Sequence, residues 1–283
     1  MRIRKPVVAG LFYEANRERL IKQLEEAFAK GPGGKPVTSK KYEERIAGII
    51  APHAGYVYSG YIAAFGYAEL ARSGVPDTIV LLGPNHHGIG VPMAVSEADA
   101  WETPLGSVEV DKDSAKQLIE KSGILAFDES AHKYEHSLEV QLPFLQFIFG
   151  NDFKIVPVTM YLQNLEVSRI LGRALAKLIN ESGLKAYVVA SSDFTHYEEA
   201  GKAAEKDKAA IDAIIRLNER ELYDIIIERD ATICGYGAIM ALISASKELG
   251  VRNAQLLRYA NSGDITGDYS SVVGYASLVF LRC

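Results

Sequence analysis

Three short polar clusters contain residue types that bind metals and transfer protons. His53 lies in APHAGYVYSG, His86 and His87 lie in GPNHHG, and Asp193 and His196 lie in SSDFTHY. Imidazole and carboxylate groups are common ligands for zinc, iron and copper. Histidine can also gain or lose a proton near neutral pH. The residue types therefore indicate a metal centre with an acid–base group close to it.

Each cluster follows a hydrophobic run that is typical of a buried strand. The runs are IAGIIA at 46–51, TIVLLG at 78–83 and KAYVVASS at 185–192. In open α/β sheets, ligands bind outside the carboxyl ends of the strands, so three such ends can meet around one cleft. A single histidine after a strand is more often a hydrogen-bonding group of a loop than a ligand. Three such strand ends together favour a shared site.

A fourth candidate is Cys234 in TICGYGAI, which precedes a predicted helix at 236–249. The partial positive charge of a helix N-terminus lowers the pKa of a nearby thiol, and the thiolate is both a nucleophile and a metal ligand. Gly235 and Gly237 allow the backbone to approach closely. The alternative interpretation is a buried cysteine that only fills space in the core.

Two histidines and one anionic residue form a metal site that keeps positions open. A carboxylate as the third ligand suits non-haem Fe(II), whereas a thiolate also suits Zn²⁺ or copper. Adjacent side chains usually point in different directions, so only one of His86 and His87 can easily face the metal. We expect His196 to act as a general acid–base group, oriented by Asp193 or His87.

Two further features keep several interpretations open. The segment HKYEHSLEVQLPF contains His132, Glu135, His136 and Glu139. This segment could contact substrate, form hydrogen bonds to a metal ligand, or only mark the entrance of a helix. Tyr56 and Tyr58, close to His53 in the chain, either line a pocket or belong to the core.

Hydrophobic periodicity and the positions of Gly and Pro predict the elements that carry these clusters. Helices are predicted at 16–30, 59–74, 114–123, 137–150, 165–183, 198–217, 219–228 and 236–249. Strands are predicted at 46–51, 78–83, 92–96, 106–110, 153–160, 185–192, 254–261 and 271–281. Pro157 suggests that its strand lies near a sheet edge. The alternation predicts one domain over residues 1–283: a three-layer αβα fold with a central, mostly parallel but mixed sheet.

Composition and charge argue against several other classes of protein. The chain has 283 residues, 48% of them hydrophobic, which is enough for a core that needs no disulfides. A net charge of −5 disfavours binding to nucleic acid or to anionic membranes. No apolar run reaches about 18 residues, and the basic N-terminus lacks a signal-peptide core, so we expect a cytoplasmic protein. A reducing cytosol argues against a disulfide between Cys234 and Cys283.

The chain resembles a known family. The motifs APHAGYVYSG, GPNHHG, EHSLEVQLPF, SSDFTHY and TICGYGAI occur in the order seen in the Memo family, and AGLFY and SSVVGYAS near the two ends also resemble it. The similarity covers essentially the whole chain. The family is similar in fold to the class III extradiol dioxygenases, which use non-haem iron. Prokaryotic relatives are called AmmeMemoRadiSam system protein B, which implies a functional link to a radical-SAM protein.

The resemblance implies roles for individual residues. His53, His86 and Cys234 match the metal ligands of the family, and His196, close to Asp193, matches the acid–base histidine of the dioxygenases. Cys234 departs from the carboxylate ligand of the dioxygenases, and a thiolate changes the redox behaviour of a metal. Contacts to substrate, or hydrogen bonds that support the ligands, are expected from His87, Asn85, Tyr58 and His136.

The sequence leaves three functions open. The first is a redox enzyme that holds Fe(II), or alternatively copper or zinc, and acts on an unknown small molecule. The second is a metal-dependent hydrolase or transferase in which Zn²⁺ activates water. The third is a module without catalysis that binds a peptide or a partner protein on a dioxygenase-like fold. None of the three involves nucleic acid or a membrane.

Overall fold

The computed structural model describes residues 1–282, and Cys283 lies outside the described residues. Within this range the strands form one mixed sheet. The strands are β1 (Ile3–Arg4), β2 (Ile46–Ala51), β3 (Thr78–Pro84), β4 (Met93–Val95), β5 (Ala100–Thr103), β6 (Gly106–Val110), β7 (Ala126–Phe127), β8 (Lys154–Met160), β9 (Ala186–Ser191), β10 (His196–Glu198), β11 (Val251–Asn261) and β12 (Val272–Arg282). The helices are α1 (Arg17–Lys30), α2 (Tyr56–Ser73), α3 (Lys112–Ser122), α4 (Leu142–Phe149), α5 (Leu165–Ser182), α6 (Ala200–Ile215), α7 (Glu219–Glu228), α8 (Tyr236–Glu248) and α9 (Gly263–Thr266).

The centre of the sheet is parallel and buried on both faces. β2 pairs with β9, β9 with β3, and β3 with β8, all in parallel register. At one end, β12 runs antiparallel to β2, β10 and β11. Along β3, Val80 and Leu82 pack into one core, whereas Ile79 and Leu81 pack into the other. A strand covered on both faces reads as a continuous apolar run, which is why the sequence predicts it well.

Helices cover both faces of this sheet. On one face, α1, α2 and α4 contribute Leu24, Tyr67 and Phe144 to the core that contains Ile79. On the other face, α3, α5, α7 and α8 pack on the core that contains Val80. The predicted three-layer αβα architecture is therefore confirmed. None of the helices within residues 1–282 combines the length and apolarity needed to cross a membrane.

The helix predicted at 137–150 is wrong in its first part. A 3₁₀ turn covers Glu139–Gln141, and α4 begins only at Leu142, which puts Pro143 in the first helical turn. Proline is tolerated there because the first N–H groups of a helix have no acceptor within it. The residues before α4 are consequently free to make long-range contacts with their side chains.

Pro157 does not mark a sheet edge, contrary to the expectation. β8 pairs with β3 on one side, and with β6 and β4 on the other. Residues 154–155 pair with β6 and residues 158–160 pair with β4, so Pro157 lies in the gap between these two short partners. Its carbonyl accepts a hydrogen bond from the Ser96 N–H at 3.1 Å, on the side away from β3. The missing N–H of the proline therefore costs no hydrogen bond with β3.

The carboxyl ends of the three central strands lie along one edge of the sheet. Ala51 at the end of β2 is level with Ser191 at the end of β9, and Leu82 of β3 pairs with Ala190. The loops that leave these strands therefore start side by side. This register brings the three polar clusters of the sequence to a common edge.

Candidate metal centre

The loops after β2, β3 and β9, together with the loop before α8, enclose a cleft of about 650 Å³. His53, His86 and Cys234 line the cleft, and one potential ligand atom from each lies within 4.8 Å of the others. His53 is buried, Cys234 is partly buried, and the side chain of His86 is 31% exposed. The fold thus collects three potential metal ligands from three separate segments into one cluster.

Hydrogen bonds fix the tautomer of His53. Ser191 Oγ donates its hydrogen to the Ser137 carbonyl at 2.7 Å, so it can only accept from His53 Nδ1, which lies 2.9 Å away. The proton of the imidazole is therefore on Nδ1. Nε2 is left with a lone pair and lies 3.2 Å from Cys234 Sγ. This is the protonation state that a metal ligand needs.

Glu135 is the hydrogen-bond partner of His86 Nδ1. Its carboxylate accepts hydrogen bonds from His86 Nδ1 at 3.0 Å, from the His86 N–H at 2.6 Å and from the Ser137 N–H at 2.8 Å. Burial alone would raise the pKa of Glu135, but the hydrogen bonds and the neighbouring imidazoles outweigh it and hold the pKa well below its ordinary value. In the neutral imidazole of His86 the proton therefore lies on Nδ1, and Nε2 is the atom that can bind a metal. Glu135 and His136 also lie within 4.8 Å of His86, but Glu135 already accepts three N–H groups and orients the ligand.

The Cys234 thiol does not behave as its helix position predicts. Gly235 caps α8, so Cys234 precedes the helix N-terminus as expected. Burial nevertheless raises the pKa of Cys234 well above its ordinary value, because the thiolate would lose its hydration. The nearby Asp193 carboxylate raises the pKa further, because it repels the negative charge of the thiolate. The Asp193 N–H donates to Sγ at 3.3 Å and offsets only part of this. A metal cation is the partner that would deprotonate such a thiol.

The spacing of the donors fits one metal ion. Bonds of about 2.0–2.1 Å to nitrogen and about 2.3 Å to sulfur put the two ligand atoms roughly 3.1 Å apart at a right angle and roughly 3.6 Å apart at a tetrahedral angle. The 3.2 Å between His53 Nε2 and Cys234 Sγ lies within that range. Two imidazoles and a thiolate suit zinc, copper and iron.

Asp193 holds the backbone that carries His53. Its Oδ1 accepts hydrogen bonds from the N–H groups of His53 and Ala54, at 2.8 and 3.3 Å. Its Oδ2 lies 3.9 Å from His53 Nε2. Burial raises the pKa of Asp193 to about 6, because the charged form loses its hydration. One oxygen of this carboxylate therefore holds the backbone of His53, and the other lies near the ring of His53.

His196 lines the same cleft, but its partner differs from the one expected. Its Nδ1 lies 2.7 Å from the Thr232 carbonyl, so Nδ1 carries the proton and donates it. The Thr232 hydroxyl accepts the His196 N–H at 2.7 Å. Thr232, rather than Asp193 or His87, thus orients the imidazole. Among the described residues, Nε2 of His196 has no hydrogen-bond partner.

The two histidines of GPNHHG point in different directions. His86 lines the cleft, whereas His87 donates from Nε2 to the Tyr134 carbonyl at 2.9 Å and does not line it. Asn85 is buried and accepts the N–H groups of residues 87 and 88 while donating to the Ile89 carbonyl. Asn85 therefore shapes the turn and does not face the cleft.

His136 and Tyr58 do face the cleft. The ring of His136 stacks on His86 with 4.8 Å between centroids and packs against Phe12 at 4.7 Å. Burial lowers the pKa of His136 to about 4, so it is neutral near pH 7. Tyr56, by contrast, is buried and donates its hydroxyl to the Val140 carbonyl, so it belongs to the core.

Two orienting residues were not predicted, Ser191 and Thr232. Each is a hydroxyl residue two positions before a predicted site residue, in SSD and in TIC. That proximity is a weak signal, because Ser and Thr are common at strand ends and turns. The information that was missing is which carbonyl or hydroxyl each imidazole meets across the sheet.

Comparison with known proteins places the chain among its relatives. A family model described as Memo-like protein matches residues 4–279. A MEMO1 family protein of Pyrobaculum aerophilum is 50% identical over 282 residues, covering 100% of both chains. One of Methanothermobacter thermautotrophicus is 48% identical over 278 residues, covering 98% of this chain and 99% of that protein.

A solved structure shares the fold. The crystal structure of an uncharacterized protein from Escherichia coli K12 is similar with a TM-score of 0.57 and 14% sequence identity, over 83% of this chain and 100% of that one. At this identity the likeness concerns the fold alone. The family model and the full-length relatives carry the assignment: the chain belongs to the Memo family.

Proposed function

We propose that this protein is a metal-dependent redox protein that holds Fe(II), or alternatively copper, on His53, His86 and Cys234 and acts on a small molecule. The observation that carries the proposal is the convergence of these donors within 4.8 Å, with Nδ1 of each histidine in a hydrogen bond, which leaves Nε2 as its metal-binding atom. The resemblance of the Memo family to non-haem iron dioxygenases supports a redox role. When bound, such a metal supplies Lewis-acid and electron-transfer chemistry to the cleft.

His196 is the proposed acid–base group. With its Nδ1–H held by Thr232, its Nε2 can accept a proton from a substrate hydroxyl in the cleft and return it later. The neutral ring of His136 offers a further hydrogen-bonding group on the same cleft wall. A substrate with an ionisable oxygen or nitrogen suits this arrangement.

A zinc-dependent hydrolase is the second candidate, and Cys234 is the observation that favours it. A thiolate with two imidazoles is an established zinc ligand set that keeps a fourth position for water or substrate. The two candidates use the same residues and differ in the metal. The identity of the metal therefore separates them.

The test is the metal content of protein purified without oxygen. Wild type should carry one metal ion per chain, and His53→Ala, His86→Ala and Cys234→Ser should each lose it. His87→Ala is the matched control, because it removes a neighbouring imidazole that bonds to Tyr134 and does not line the cleft. It should keep the metal.

Two results would contradict the proposal. Retention of the metal in all three ligand variants would show that it binds elsewhere. Iron-loaded or copper-loaded protein that consumes no oxygen with a broad panel of phenols, thiols and amines would exclude the redox role. Zinc in the anaerobic protein, together with hydrolysis of a model ester, would favour the second candidate.

A further inference from the structure

Tyr197 adopts a backbone conformation that is unusual for an aromatic residue. Its φ is +60°, in the left-handed region that favours glycine. It lies in β10, where His196 pairs with Val273 and Glu198 pairs with Val272 of β12. Two steps along β10 therefore match one step along β12. Tyr197 is the extra residue of a β-bulge.

The bulge changes the direction of the Tyr197 side chain. Successive side chains of a regular strand point to opposite faces, so a strand that presents His196 to the cleft should turn Tyr197 away from it. In this structure both residues line the cleft. The positive φ of Tyr197 is therefore what places the two side chains on the same side.

The fold itself gains little from Tyr197. The residue is 79% exposed, and among residues 1–282 its hydroxyl forms no hydrogen bond. A glycine would adopt the same φ without steric cost. Strained residues that the packing does not require are concentrated at ligand sites. Within residues 1–282 the Tyr197 ring meets the His196 ring edge-on, with 5.7 Å between centroids, and most of its surface stays open to a molecule in the cleft.

The mouth of the cleft carries other exposed apolar groups. Leu11 is 80% exposed and Tyr58 is 41% exposed, and both line the cleft with Phe12 and Tyr197. Hydrogen bonds hold the segment around Leu11 in place. The Leu11 N–H donates to the Val8 carbonyl, and the carbonyl of the next residue accepts the N–H of the first residue of α2. Exposed apolar groups held around a polar floor are typical of a small-molecule site.

We propose that Tyr197 is a specificity-determining residue that, with Leu11 and Tyr58, holds a planar apolar group of the ligand. An oxygen donor of the same ligand reaches the metal on the floor of the cleft. The inference rests on the proposed metal site and adds the class of ligand to it. Aromatic side chains favour planar groups, because stacked and edge-on contacts add to the burial of apolar area.

The test uses two probes with the same metal-binding group. Acetohydroxamate and benzohydroxamate differ by a phenyl ring, and zinc-loaded protein avoids redox reactions during calorimetric titration. Wild type should bind benzohydroxamate about 10-fold more tightly, in line with the worth of one aromatic contact plus its burial. Tyr197→Gly should remove most of this preference and leave the affinity for acetohydroxamate unchanged. Tyr197→Phe is the matched control and should keep the preference.

A second measurement separates a ligand role from a structural role. If Tyr197 is held in strain for ligand binding, Tyr197→Gly should have a thermal midpoint equal to or higher than that of wild type. A clearly lower midpoint, or an unchanged preference for the phenyl probe, would overturn the inference. Equal affinity of wild type for both probes would also overturn it while leaving the metal site intact. Failure to bind zinc or either probe would overturn the metal site and this inference together.

Discussion

Glu135→Gln should weaken both metal binding and the fold. Three N–H groups converge on the Glu135 carboxylate, two from His86 and one from Ser137. A glutamine has one acceptor oxygen, and its NH₂ group would face an N–H donor. The substitution therefore turns at least one hydrogen bond into a repulsive contact while changing little in volume. His86 then loses the partner that keeps the proton on Nδ1, or its backbone moves.

The size of the effect follows from the kind of contact. Loss of a carboxylate that orients a ligand histidine typically costs about 10- to 100-fold in metal affinity, or roughly 1.4 to 2.7 kcal/mol. A buried donor left without an acceptor costs about 1–3 kcal/mol of folding stability. Glu135 is fully buried, so water cannot easily replace the lost acceptor. Both losses should be measurable in the same variant.

The assay is competition for Zn²⁺ against a chromophoric chelator, with thermal denaturation of the metal-free protein in parallel. Glu129→Gln is the matched control. Its carboxylate accepts the Ser96 hydroxyl and the N–H groups of residues 97 and 98, all outside the cleft lining. All three donors reach the same carboxylate oxygen, so the amide oxygen of a glutamine can take its place, and the variant should keep both its stability and its metal affinity. An unchanged affinity in Glu135→Gln, or an equal loss in Glu129→Gln, would refute the reasoning.

Three other predictions concern buried groups. Burial and the Arg4 charge lower the pKa of His132 to about 3, below the unfolded value of 6.5. The neutral form of His132 therefore gives its full contribution to folding stability above pH 6.5, and that contribution falls as the pH drops towards 3. Wild type should lose about 2 kcal/mol of folding stability between pH 6.5 and 5 in urea titrations; His132→Phe should abolish this loss, whereas His87→Phe should not. Gly235→Ala should reduce metal affinity, because its Cβ would lie 2.3 Å from a backbone carbonyl oxygen, whereas Gly237→Ala should do so less, because its Cβ meets only a flexible side chain at 2.8 Å. Arg4→Met should destabilise the protein by about 3–5 kcal/mol in thermal denaturation, because it leaves a fully buried carboxylate without its cation.

The fold was predictable wherever burial leaves a recognisable pattern of apolar residues in the sequence. β2 and β3 are continuous apolar runs because both of their faces are covered, and the predicted and observed bounds of β2 are the same, 46–51. The prediction was wrong where partners decide the structure. Pro157 is tolerated in an interior strand only because β4 and β6 are too short to need its N–H. The short strand at Ala100–Thr103 was not predicted, because four residues give too little periodicity.

The candidate ligands could be predicted from the sequence because each follows a recognisable strand or precedes a helix. The residues that orient the candidate ligands were harder to predict, because each lies far along the chain from the histidine that it contacts. His86 meets Glu135 over 49 positions, and His53 meets Ser191 over 138. A hydrogen bond of this kind leaves no spacing pattern. It depends on the register of the sheet and on the start of α4, which the sequence misplaces.

This dependence has a consequence for how the site forms. Three imidazoles of the cleft are oriented by a different segment of the chain: His53 by the end of β9, His86 by the segment before α4, and His196 by the loop before α8. A single loop would not present Nε2 in the right direction without the rest of the sheet. Folding would therefore prepare the proposed metal site, and the cost of orienting the candidate ligands would be met before a metal binds. Cys234 is the exception, because burial keeps its thiol protonated, and its proton must leave when a metal binds.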